Sequence, residues 1–308
     1  MRLTLWIAIV LAFVPLACGY QKPNGQVTFI TVDTDPDWSP DGRLIAFATS
    51  RRHGGIYLVR PNGTGLRQVF RGVASDVDWS PDSDRIAFQG DHGIYVLRRS
   101  GGHPIRLLRG EQFRLPAWAP DGRKLAVVKE ERDLATAIYV MSLDGSGLLR
   151  LLPPYPPRSA PHWDAVTASE TEPAWSPDGR QIAFQAGDGH VVTADIAGGK
   201  RRSIATAGYE PAWSPDGRLI AFQSDGALWS ANADGSGDKR LLASNGGDPS
   251  WAPDSRTLVF EVRHTYGREW RRPQSLSVVD AAASALRKLT YGNSALDDPA
   301  WRGDSATP

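Results

Sequence analysis

The side chains of this 308-residue chain whose types and spacing suit joint chemistry are carboxylates that return at one fixed place. Asp35, Asp76, Glu172, Glu210, Asp248 and Asp298 each stand three residues before a tryptophan, and Leu115 is the exception in the series. Carboxylates that converge can hold a cation or receive a basic side chain from a partner. They can equally accept backbone N–H groups where a strand begins, and then they recur because the structure recurs. Other chemistries find less support. The histidines, at 53, 92, 103, 162, 190 and 264, show no metal-ligand spacing such as H-E-x-x-H. No P-loop and no cysteine-based metal motif is present, so the expectation is no metal, no cofactor and no catalytic residue.

The elements that must position the acids are written in the same repeat. PAWSPDGRQ with IAF behind it, Pro173 to Phe184, has close copies at Asp37 to Phe47, Asp78 to Phe88, Ala117 to Val127, Ala212 to Phe222 and Ser250 to Phe260, with a broken copy at Ala300. Most intervals are about 40 residues, the period of a propeller blade. Each copy predicts a strand ending on the tryptophan, a tight turn in which Pro, Asp and Gly or Ser take the positions turns favour, an IAF-like second strand, an IYV-like third strand and a brief fourth. Helix periodicity is absent. The expected fold class is all-β, a six-bladed β-propeller of four-stranded antiparallel blades over residues 26–308, with a partial seventh element from the terminal strands as the alternative. The acids then sit near the start of each innermost strand and ring one mouth of the central channel. Next to each tryptophan the preceding residue is small or short, as at Asp37, Asp78, Ala117, Ala174, Ala212 and Ser250.

Connectivity sorts the loops by face. In such a blade the first and third turns emerge on one side, and the second loop and the connection to the next blade emerge on the other. Both long insertions fall on the second side, at Pro153 to Ser169 and at Arg263 to Gln274. They carry Tyr155, Trp163, Tyr266, Arg268, Trp270, Arg271 and Arg272, the aromatic and arginine types that dominate interface hot spots. We read these residues as a binding surface for a protein partner, against the alternative of neutral loop growth. The net charge of +1 gives no reason to expect nucleic acid.

The first residues form an export signal, with Arg2 ahead of an apolar run from Leu3 to Val14 that is too short for a membrane span. Cys18 is the only cysteine and closes that segment, as a lipidated thiol would; cleavage after Gly19 is the alternative. Residues 1–17 are thus expected as signal peptide and 18–25 as a lipid-anchor tether. The mature protein would be periplasmic or surface-exposed, or else soluble and secreted. It would have no disulfide and would depend on its core.

The motif W-[SA]-P-D-[GS]-x-x-[IL]-[AV]-[FV], followed by IYV and a short LT-like strand, resembles the TolB-type β-propeller repeat over nearly the whole mature chain. The resemblance implies the fold. TolB carries an α/β domain ahead of its propeller, and about ten residues between Cys18 and the first strand are too few for one. Larger relatives attach a serine peptidase, but no G-x-S-x-G motif occurs here. The function expected is protein binding in the bacterial cell envelope by an anchored module, with the alternative of an enzyme or lectin-like module working on envelope sugar or peptide at the acidic mouth. Replacing the anchor thiol tests the localisation. Cys18→Ser is expected to move the protein from the membrane fraction to the soluble one, because lipidation at this residue would be its hold on the bilayer.

Overall fold

A computed structural model describes residues 19–21, 27–29, 33–50, 54–131, 135–152, 170–197, 199–262, 275–281 and 286–290. Among them are six four-stranded antiparallel sheets, each made of strands consecutive in sequence, and no helix. This is the expected six-bladed propeller. The innermost strands are Asp33–Trp38, Ala74–Trp79, Phe113–Trp118, Glu170–Trp175, Tyr209–Trp213 and Gly247–Trp251. In blade 1 the chain continues through Ile45–Thr49 and Gly55–Val59 to the outermost Arg67–Phe70, and the other blades follow suit. Ahead of blade 1, Gly19–Gln21 pairs with Val27–Phe29 in a separate two-stranded sheet. The outer strand of blade 4, Arg201–Ala205, is not announced by the repeat, because GGK precedes it where blades 3 and 5 have an Asp-Gly-Ser-Gly turn.

The turn after each tryptophan holds itself together. Ser39 Oγ donates to Asp41 Oδ1 at 2.7 Å, the same oxygen accepts the Arg43 N–H at 3.0 Å, and the Gly42 N–H donates to the Ser39 carbonyl at 2.8 Å. Gly42 needs φ of +72°, which glycine adopts without cost. Ser83 and Ser255 take that place in blades 2 and 6 with φ of +58° and +56°. There the hydroxyl is useful: Ser83 Oγ accepts the Asp41 N–H, and Ser255 Oγ the Asp216 N–H, each from the blade before, both at 3.0 Å.

IAF explains how the blades stack. Successive side chains of a strand point to opposite faces, so the large Ile and Phe go one way and the small Ala the other. Ile86 and Phe88 of blade 2 pack against Ala46, Ile56 and Leu58 of blade 1, and Ile182 and Phe184 of blade 4 against Ala126 and Ile138 of blade 3. The ring closes in the same way, since Ile45 and Phe47 of blade 1 meet Val259, Leu276 and Val278 of blade 6. One apolar cluster therefore fills each of six seams, and the five phenylalanines in this set, Phe47, Phe88, Phe184, Phe222 and Phe260, are fully buried. The tryptophans wedge the same seams nearer the axis. Trp79, Trp175 and Trp251 donate Nε1 to the carbonyls of Asp37, Ala117 and Ala212 in an earlier blade.

This size rule makes the seam sensitive in both directions. Phe260→Ala is expected to cost about 3–5 kcal/mol through the cavity it leaves. Ala221→Leu, on the small side of the same seam, should cost about 1–3 kcal/mol by overpacking. Denaturant unfolding of both variants checks the assignment, which fails if the alanine position accepts leucine freely.

Candidate functional site

Every innermost strand contains a bulge at the place of the recurring acid. Pairing with the second strand slips between Thr34 and Asp37, Ser75 and Asp78, Arg114 and Ala117, Thr171 and Ala174, Tyr209 and Ala212, and Gly247 and Ser250. The acid itself is left-handed, with φ of +50° at Asp35, +51° at Asp76, +55° at Glu172, +54° at Glu210 and +46° at Asp248. Leu115 is bent in the same way, at +51°, although a leucine gains nothing locally from that conformation. Proline follows in all blades but the second, where Val77 stands. A bulge tolerates proline because no ladder donor is lost there.

The bulge aims each backbone N–H at the blade before it. Asp35 Oδ2 accepts the Asp76 N–H at 3.0 Å, Asp76 accepts the Leu115 N–H, Glu172 Oε2 accepts the Glu210 N–H, and Glu210 Oε2 accepts the Asp248 N–H at 2.7 Å. A second tier lies two residues on. Asp37 Oδ2 accepts the Trp79 N–H and Asp78 Oδ2 the Trp118 N–H, both at 2.6 Å. Across the closing seam Ser250 Oγ accepts the Trp38 N–H at 2.9 Å and donates to Asp37 Oδ1 at 2.7 Å.

Together these residues line a central cavity of about 350 Å³ whose charged groups are Asp35, Asp37, Asp76, Asp78, Glu172, Glu210 and Asp248, with no lysine, arginine or histidine among the lining residues. All seven carboxylates are half-buried. Burial pushes Asp37 up to about 6, against the bonds from Trp79, Ser250 and Trp38. At Asp76 burial and then the charge of Asp35 push the carboxyl to about 7. Asp78 and Asp248 lie well above the usual range, again from burial first, with Asp37 acting on the one and Glu210 on the other. Glu261, buried on the second strand of blade 6, adds to the load on Asp248. Chemically the channel is a well of negative potential that keeps some of its protons near neutral pH. Among the described residues no cluster of metal-ligating type has the geometry to hold an ion.

The sequence locates Asp35, Asp76, Glu172, Glu210 and Asp248, and the fold brings them to the lining of one central cavity, at a bulge within each innermost strand. Asp298 lies outside the described residues, as do Cys18, Tyr155, Trp163, Tyr266, Arg268, Trp270, Arg271 and Arg272. The repeat marks Asp37 and Asp78 only as short residues, yet they form the inner tier of the same well. A cluster of two ion pairs, one within blade 3 and one within blade 4, is likewise invisible in the repeat. Arg201 Nη2 bonds Glu170 Oε1, and Arg150 Nη1 bonds Glu131 Oε1 at 2.8 Å, with the Tyr139 hydroxyl donating to the same Glu131 oxygen at 2.7 Å. Its one signal is the acid five residues before Trp175, where blades 2, 3, 5 and 6 have Ala74, Phe113, Gly208 and Gly246.

Raised carboxyl pKa values fix the sign of the pH dependence. Asp37 and Asp76 titrate near 6 and 7 when folded and at about the usual 3.8 when unfolded, so the folded state holds extra protons between these limits. Their contribution is complete below pH 4 and is lost as pH rises through 6 to 7. The thermal midpoint is therefore expected to fall between pH 5 and pH 8. Asp37→Asn, which keeps an oxygen acceptor, should flatten that fall; scanning calorimetry across the range decides.

Comparison with known proteins agrees with this architecture. The family model described as the TolB beta propeller domain matches residues 16–152 and 111–304. An uncharacterised peptidase of Bacillus subtilis, YuxL, is 25% identical over 158 residues, 51% of this chain but 18% of that protein, so the chain spans a small part of that relative's length. The crystal structure of TolB from Acinetobacter baumannii is similar with a TM-score of 0.62 at 17% identity, over 83% of this chain and 62% of that one. An oligogalacturonate lyase solved with manganese gives 0.53 at 15% identity, over 87% and 96%. At those identities the structural likeness speaks for the fold alone, but the family model covers nearly all of the repeat, and the chain belongs to the TolB β-propeller domain family.

Proposed function

We infer that this propeller is a binding module without catalysis of its own, which receives a basic segment of a protein partner at the acidic channel mouth. The observation that carries the reading is the one-signed lining: seven carboxylates and no cationic side chain around a cavity of about 350 Å³, large enough for one or two long side chains. A lysine or arginine entering it would meet acceptors of one sign, and the field of the hub would steer it there. A carboxylate that accepts one N–H group of the next blade still has lone pairs to offer a guest. The use of these carboxylates as acceptors for backbone N–H groups of the next blade supports binding over an enzyme or lectin acting on envelope sugar or peptide.

The aromatic and arginine side chains of residues 153–169 and 263–274 would add further contacts to the partner. Export by residues 1–17 and anchoring through Cys18 would place this module in the cell envelope, facing a protein partner and touching the membrane only through its lipid. Among the described residues no helix is long and apolar enough to cross a membrane.

A short lysine-rich peptide serves as probe for calorimetric titration. Binding is expected to weaken with salt, and Glu172→Gln with Glu210→Gln should reduce affinity roughly tenfold while amide oxygens still accept the N–H groups. Replacing both insertions by short glycine-containing turns should spare folding and lower capture of the native partner. Unchanged peptide affinity in the double variant would remove the channel from the reading.

A further inference from the structure

The radial opposite of the hub is a set of outermost strands, Arg67–Phe70, Ile105–Arg109, Leu149–Arg150, Arg201–Ala205, Arg240–Ala243 and Leu286–Lys288. Each contains arginine and none contains a carboxylate, whereas in the innermost strands Arg114 is the single base. Like charge on every edge keeps two propellers from pairing edge to edge. Most rim arginines are also structural. Arg67 Nη2 donates to the Arg99 carbonyl and Arg202 Nη1 to the Asp234 carbonyl, both at 2.8 Å, and Arg287 donates to the Pro61 carbonyl, in each case across a seam to a turn of the next blade. Arg150 and Arg201 are held by Glu131 and Glu170.

Blade 2 departs from this scheme. Where blades 1, 4 and 6 have Arg67, Arg202 and Arg287 it has Ile105, which is 68% exposed. The equivalent residue of blade 3, Leu149, is 70% exposed. Both arginines of the blade 2 strand, Arg106 and Arg109, are exposed and make no hydrogen bond or ion pair among the described residues. At five residues the strand is as long as any outer strand here, contains no proline, slips register between Arg106 and Leu108, and among the described residues pairs on one side only, with Gly93–Arg98. An edge with unpaired backbone groups, two uncommitted cations and exposed aliphatics has the three components of strand recognition.

We propose that the outer edge of blade 2 docks an extended acidic segment of another protein as a fifth strand. The backbone of Ile105–Arg109 supplies the ladder on either side of the bulge at Leu107, Arg106 and Arg109 meet carboxylates of the guest, and the exposed Ile105 covers its aliphatic side chains. A polyanion without peptide groups satisfies the arginines but leaves the ladder and the aliphatics unused. A second copy of this chain is opposed by the like charge of its own edges. The site is independent of the channel, which repels such a guest.

The full chain is titrated with a labelled peptide alternating glutamate and valine, with its lysine–valine counterpart, with a fully N-methylated glutamate–valine analogue, and with polygalacturonate. The glutamate–valine peptide is expected to bind in a salt-dependent manner, the lysine–valine peptide not to compete, and N-methylation to weaken binding roughly tenfold or more. Arg106→Glu with Arg109→Glu should abolish binding at an unchanged thermal midpoint, since both side chains are exposed. Ile105→Arg, which installs the cross-seam arginine of the other blades, should stabilise the seam and still reduce affinity. Equal binding by the N-methylated analogue or by polygalacturonate would reduce the edge to a general basic surface and overturn the proposal. Unchanged affinity in the Arg106/Arg109 variant would overturn it as well.

Discussion

Backbone N–H groups that the bulges turn out of the ladder near the propeller axis need acceptors, and the rest of the structure follows from how that need is met. The bulge in each innermost strand takes one residue out of the ladder and turns its N–H toward the preceding blade. A carboxylate at the same position in that blade is the acceptor, so one residue type both adopts the bend and caps its neighbour's. Residues held in the left-handed region cost on the order of 1–3 kcal/mol each and persist only where surroundings over-determine them. Here the apolar clusters of six seams supply that constraint, because the bulge cannot relax without moving the buried Ile and Phe behind it.

The charge of the hub is a by-product of that solution. Acids chosen as acceptors for amides bring charge with them, and no base among the lining residues offsets it. Burial then raises the pKa values of Asp37, Asp76, Asp78 and Asp248, so these groups hold protons that a cationic guest would displace. Meanwhile the compensating positive charge sits at the rim, where arginines reach across seams to neighbouring turns. A chain of net charge +1 is in this way divided radially into an acidic axis and a basic perimeter.

The seams are not equivalent. Between blades 3 and 4 the hub has Leu115 and Ala117 where blades 1 and 2 offer a carboxylate in each tier, so neither tier can cross from blade 3 to blade 4 by a side-chain acceptor. Glu170 takes over from the other direction. It lies fully buried, accepts the Ile138 N–H of blade 3 at 3.4 Å through Oε2, and is neutralised by Arg201. Removing one partner of such a pair costs far more than the pair contributes, because the remaining charge stays buried.

Much of this was legible from residues alone. The tryptophan spacing and the turn chemistry determine the strand order, and IAF determines a two-faced packing, because strand periodicity sends alternate side chains to opposite sides whatever the context. That Asp35, Asp76, Glu172, Glu210 and Asp248 share one position of the innermost strand was equally readable, although that position is an internal bulge and not the strand's start. What the sequence cannot contain is which atoms those carboxylates meet, since Asp35 finds Asp76 across about 40 residues of chain only once a blade has been laid down between them. The inner tier of Asp37, Asp78 and Ser250, the Glu170–Arg201 pair and the unstapled edge at Ile105 belong to the same class. They depend on groups far apart in the chain coming within a few ångströms, and it is ring closure, with Ser250 of the last blade bonded to Asp37 of the first, that sets those distances.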